Sequence, residues 1–107
     1  MDMWHPEQVS KQQIAFLRKL YLAHVIDDGK HNLLSLQKLT GMPRRTVQDA
    51  LAACRDIGID VSFIQDGARN NSGYYHIQTW GPINSAWVGT HLGQIETLLQ
   101  IPVVPDI

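Results

Sequence analysis

Apolar positions recur at three- and four-residue spacing as far as Gly58, then at every second residue, and return to helical spacing after Pro82. Ile14, Phe16, Leu17, Leu20, Tyr21, Leu22, Val25 and Ile26 predict a first helix from Glu7 to about Asp27, with Ser10 available as an early cap. These positions spread over more than the roughly 100° stripe of a helix with one buried face. Such a helix is either sandwiched inside the domain or meets another subunit on its outer side. Asp27, Asp28 and Gly29 close it with a turn signal. His31 to Leu34 then has the length of a very short extended segment.

Ser35 to Gly58 reads as a short helix over 35–41, a tight turn and a longer helix from Pro43 to about 57. Leu36 and Leu39 are placed on one face of the short helix. Gly41 supplies the reversal, because it reaches positive φ without steric cost. Pro43 is expected as the first residue of the next helix, where its missing N–H costs nothing. Val47, Ala50, Leu51 and Cys54 form one buried stripe, and Gly58 ends the element. At about 100° per residue, Arg45, Gln48, Asp49 and Ala52 project away from that stripe, with Arg44 and Thr46 beside the helix start. A helix held by one stripe and presenting arginines and amides at its N-terminal end suits a DNA major groove. An ordinary helical hairpin with a charged solvent face is the competing interpretation of these two helices alone.

Beyond Gly58, Ile59, Val61 and Phe63 alternate with Asp60, Ser62 and Ile64, a half-buried strand. DGARNNSG over 66–73 is turn-rich, and Tyr74 to Trp80 forms a second strand rich in aromatic and β-branched side chains. Together they predict a β-hairpin with a long tip. Trp80-Gly81-Pro82 breaks the strand, and Asn84 or Ser85 caps a last helix running to about Gln100. Its apolar stripe is Val88, Leu92, Ile95 and Leu99, while Ser85, Ala86, Gly89, Gly93 and Thr97 make a small, uncharged opposite face. That face is either a poor surface helix or a second packing surface for a homodimer. The domain boundaries expected are an arm over 1–6, the main domain over 7–82, and a last helix with an extended tail over 83–107.

Length and composition narrow the picture. The chain has 107 residues, 44% of them hydrophobic, which suits one domain with its own core. Nine Lys and Arg against ten Asp and Glu give a net charge of −1, yet Lys30, Lys38, Arg44, Arg45 and Arg55 face only Asp49 within their own stretch. A locally positive strip on a neutral protein remains compatible with phosphate contacts. The single cysteine, Cys54, lies on the core stripe and reads as a small hydrophobe. A polar start and the absence of a long apolar run predict a soluble cytoplasmic protein without a membrane span. His5, His24, His31, His76 and His91 lack metal-ligand spacing, and His24 beside Asp27 or Asp28 is the nearest approach to a site. No phosphate loop, nucleophile elbow or HExxH sequence occurs, so neither an enzyme, a metal nor a cofactor is expected.

In order, these elements resemble a winged helix-turn-helix domain: mainly α within the α+β class, with a three-helix core, a hairpin wing and an additional C-terminal helix. More narrowly, GMPRRTVQDAL followed by RNNSGYYHI and WGPIN is similar to a family of small bacterial winged-helix proteins regarded as DNA-binding regulators. The resemblance implies a homodimeric regulator that reads double-stranded DNA, paired through its first and last helices. Arg44 and Arg45 are the candidates for guanine edges and Gln48 for adenine. Asp49 either accepts from a cytosine amino group or repels phosphate. Thr46 suits a phosphate at the helix start, and Ser35 and Lys38 suit backbone contacts. In the wing, Arg69, flanked by Asn70 and Asn71, either enters a minor groove or is a solvated tip. The alternative is a protein-interaction module using the same fold without nucleic acid, favoured by the near-zero charge, the small face of the last helix and an expected exposed pair, Tyr74 and Tyr75.

Overall fold

The computed structural model describes residues 8–68 and 72–102. The described residues are mainly helical, with five α-helices and one two-stranded antiparallel hairpin. This is the architecture of a winged helix-turn-helix.

Helix α1 (Lys11–Asp28) starts later than the apolar spacing suggests, because Ser10 and Gln13 form a capping box. The Ser10 hydroxyl accepts from the Gln13 N–H at 3.1 Å, and the Gln13 side chain accepts from the Ser10 N–H at 2.7 Å. Two orphan donors are satisfied at once, which fixes the first turn. Leu17, Leu20, Tyr21, Leu22, Ala23, Val25 and Ile26 are all buried. Three later helices and the second strand pack around α1. Much of its surplus of apolar positions is therefore spent inside the chain, while Phe16 stays half-buried and lines an apolar hollow with Ile83 and Trp87.

Helix α2 (Leu33–Thr40) starts at a second capping box, Asn32 with Ser35, two residues ahead of the expected start. The extended segment expected before it shrinks to one bridge between His31 and Tyr75, where the Tyr75 N–H donates to the His31 carbonyl at 2.8 Å. Leu36 and Thr40 point inward, whereas Leu39, three residues after Leu36, is 38% exposed. Residues i and i+4 share the buried line of α2, and Leu39 falls to the side of it. The Thr40 hydroxyl donates to the Leu36 carbonyl at 2.7 Å and accepts from Met42 N–H at 3.1 Å, tying helix to turn. Gly41, at φ +74°, donates to the Gln37 carbonyl and makes the reversal.

Helix α3 (Arg44–Ala53) has Pro43 as its extended N-cap (φ −60°, ψ 152°) rather than as its first helical residue. Val47, Ala50, Leu51 and Cys54 are buried as the spacing requires. A 3₁₀ turn over Cys54–Ile57 follows, and Gly58 at φ +87° ends it. Strands β1 (Asp60–Gln65) and β2 (Gly73–Thr79) then pair, with a bulge between Asp60 and Val61. Ile59 and Ile77 carry the base of the hairpin into the core.

The last helix is broken. Helix α4 (Ser85–Thr90) and helix α5 (Leu92–Leu99) meet at His91 (φ −102°, ψ 13°). The His91 ring stacks on Trp87 at 4.2 Å, and its Nδ1 lies 2.7 Å from the Trp87 carbonyl. That contact sits between two helix-weakening glycines, Gly89 and Gly93. Val88 and Ile95 are nonetheless fully buried, and Ser85, Ala86, Gly89, Gly93 and Thr97 are all exposed.

Candidate nucleic-acid interface

The buried stripe of α3 turns its opposite face outward. Arg44, Arg45, Gln48, Asp49 and Ala52 are all exposed. The helix stands as a ridge between two hollows. On the hairpin side, Arg44 and Gln48 border a hollow of about 460 Å³ whose far wall is Leu34, Phe63 and Tyr75. On the α1 side, Thr46 and Asp49 border one of about 280 Å³ opposite Arg18 and Lys19.

The two arginines stand in the first turn of α3, where the positive end of the helix dipole disfavours cations. Pro43 offers no side chain to cap that turn. Stability alone does not select this arrangement. Arg45 is drawn towards Asp49, Nε to Oδ1 at 3.3 Å, with side chains 86% and 69% exposed. Arg44 leans the other way, to the hairpin side.

The other sequence-predicted residues divide. Ser35 is already employed: its hydroxyl accepts from the Asn32 N–H at 3.0 Å and lies 3.1 Å from His31 Nδ1. Lys38 is exposed in the last turn of α2. Arg69, Asn70 and Asn71 lie outside the described residues. The tyrosine pair is not exposed as expected. Tyr74 and Tyr75 are half-buried, Tyr74 under Lys30 Nζ at 4.9 Å and Tyr75 edge-on to Phe63 at 5.2 Å. The bridge to His31 pulls this end of β2 against the body of the domain.

Sequence reasoning missed Arg18 and Lys19, two cations that α1 sets beside α3, and the apolar pair Leu34 (57% exposed) and Phe63 (40% exposed) on the hairpin side. No local pattern marks them, because their approach to α3 depends on how distant elements pack. Among the described residues no three His, Cys, Asp or Glu side chains gather as metal ligands. Asp27, considered with His24, instead accepts from the Trp80 indole N–H at 3.1 Å and ties the hairpin exit to α1. No helix among the described residues is long and apolar enough to cross a membrane.

Comparison with curated proteins gives no match. Among solved structures, the crystal structure of a DUF2131 family protein from Shewanella amazonensis SB2B is similar, with 66% sequence identity and a TM-score of 0.85. The likeness covers 90% of this chain and 93% of that one. A family described as winged helix-turn helix matches residues 11–99, the whole run from α1 to the end of α5. By this match, and by the hairpin that follows an outward-facing second helix of the helix-turn-helix, the chain belongs to the winged helix-turn-helix family.

Proposed function

We propose that the protein is a transcriptional regulator that binds double-stranded DNA sequence-specifically in the cytoplasm, with α3 in the major groove and the hairpin beside the adjacent minor groove. The observation that carries this reading is the uncovered ridge of α3, with Arg44, Arg45 and Gln48 outermost. A helix fits a major groove about 12 Å wide. Arg44 and Arg45 read guanine edges and Gln48 reads adenine, each good bidentate pair discriminating by roughly 1–3 kcal/mol. Thr46, Lys38, Arg18 and Lys19 hold the phosphates on either side. Ser35 acts indirectly, by fixing the start of α2. Arg69, with Asn70 and Asn71, serves the minor groove. A homodimer in this reading pairs through the first and last helices, α1 and the small face of α4 and α5.

Fluorescence anisotropy with a labelled pool of genomic duplexes tests it. Binding that weakens steeply with salt, and an Arg44→Ala/Arg45→Ala double variant that folds but loses the selected duplex, is the expected result. The exposed Leu34 and Phe63 favour a second reading, a protein-interaction module. No duplex binding at low salt would decide for that module.

A further inference from the structure

A hollow of about 610 Å³ lies away from α3, between α1, the C-terminal end of α2 and α5. That is within the size range of small-molecule sites. Leu39, Ile101 and Pro102 give it apolar walls, and Glu96 gives it one carboxylate. Glu96 Oε2 accepts from the Tyr21 hydroxyl at 3.0 Å. Tyr21 is 4% exposed. Burial first, then the hydrogen bond and charge of Glu96, pushes its pKa up to about 12, so the hydroxyl remains a donor and holds the carboxylate in place.

Nothing cationic among the described residues answers that carboxylate. Among the described residues, the salt bridge present is Arg45–Asp49, and Glu96 has no ion pair. A half-buried anion left without a counter-charge is costly. The cavity rim also carries the one described non-glycine residue at positive φ, Gln100 at 58°, a conformation that side chains disfavour. This turn brings Ile101 and Pro102 back over the cavity, with Pro102 close against Gly41 of the helix-turn-helix. Gly93 keeps the opposite wall open, since a Cβ there meets nothing within 4 Å.

We propose that this cavity binds a small organic cation, a protonated amine on an apolar body, with Glu96 as its counter-ion. The donor set decides the class. One carboxylate beside the Tyr21 and Thr97 hydroxyls and the Gln100 amide is too few oxygens for a hard metal cation, which takes six or more. An anion would meet Glu96 and be repelled. An apolar molecule with a single positive end satisfies both the walls and the charge.

The probe is phenethylammonium, with 2-phenylethanol as its uncharged isostere, titrated into the full chain without DNA and followed by amide NMR shifts. Saturable binding is expected, with shifts centred on Leu39, Gly93 and Glu96, and with the alcohol at least about tenfold weaker. Glu96→Gln, which keeps an acceptor for Tyr21, is expected to lose about tenfold for the amine and nothing for the alcohol. Gly93→Phe, which fills the space, is expected to abolish both. Absence of saturation at about 10 mM amine, or equal binding of amine and alcohol to the unaltered protein, overturns the proposal. Neither comparison requires a variant to fold, and neither bears on whether α3 binds DNA.

Discussion

Arg45 and Asp49 face each other one turn apart on α3, Nε to Oδ1 at 3.3 Å, on a face that no other described residue covers. This gives Asp49 a role beyond the two its position suggested. It holds the Arg45 guanidinium along the helix before any partner arrives. An exposed i,i+4 pair contributes little to stability. Its effect falls on availability, because Arg45 must exchange a carboxylate for a base edge or a phosphate, while Arg44 has no carboxylate partner among the described residues.

Asp49→Asn therefore separates the two arginines. In the DNA reading, non-specific duplex affinity rises several-fold, since a negative charge leaves the ridge and Arg45 is released to phosphate. The plot of log affinity against log salt steepens by up to about one phosphate's worth, roughly 0.9. Asp49→Asn also adds little at a site that Arg44 alone reads. Anisotropy titrations at several salt concentrations measure both effects. Unchanged affinity and slope would mean that Asp49 does not restrain Arg45.

Two glycines at the foot of the hairpin are held by steric necessity. Gly58 has φ +87°, and a Cβ on it would run into the Pro82 ring. Gly81 has φ +57°, and a Cβ on it would strike the Gly58 carbonyl oxygen. Gly58→Ala and Gly81→Ala are each expected to destabilise by at least about 1–3 kcal/mol from backbone strain alone. The midpoint of urea unfolding reads this directly.

Gly89 and Gly93 predict the opposite sign. Both are exposed; a Cβ on Gly89 makes ordinary contact with His24 at 3.7 Å, and one on Gly93 meets nothing. Alanine at either position is expected to stabilise the monomer by up to about 1 kcal/mol through helix propensity. The same residues test the small face as a contact between copies. If α4 and α5 pair there, Gly89→Leu lowers the molar mass seen by light scattering at micromolar concentration. If the molar mass is that of one chain throughout, the dimer is excluded.

What the sequence disclosed about this site was whatever local spacing and φ dictate. The Val47, Ala50, Leu51 and Cys54 stripe fixed which side of α3 is outward, and Gly41 and Gly58 fixed where the chain turns. The order of helices and hairpin then fixed the fold. Features created by contacts across the chain were invisible. The half-burial of Tyr75 depends on a bridge to His31, 44 residues away. Arg18 and Lys19 join the flank of α3 only because α1 packs against it.

The pH dependence of stability follows from two buried acids that are neutral in the fold. Tyr21 is pushed from 10.0 up to about 12, mainly by burial. Burial likewise pushes Cys54 from 9.0 up to about 11, with the charge of Lys19 pulling weakly the other way. In each case the unfolded chain releases its proton first, so between the two values it binds fewer protons than the native state. Stability contributed by these groups is then complete below pH 9 and falls as pH rises, first through Cys54 between 9 and 11, then through Tyr21 towards 12. Urea midpoints measured from pH 7 to 11 are expected to hold level as far as these groups are concerned and then decline. Cys54→Ala, though less stable at pH 7 for loss of the buried sulfur, removes the lower part of that decline, so its curve approaches that of the unaltered protein as pH rises from 9 to 11. Parallel curves over that interval would show that the Cys54 thiol ionises as freely in the fold as outside it, contrary to its complete burial in the stripe that orients α3.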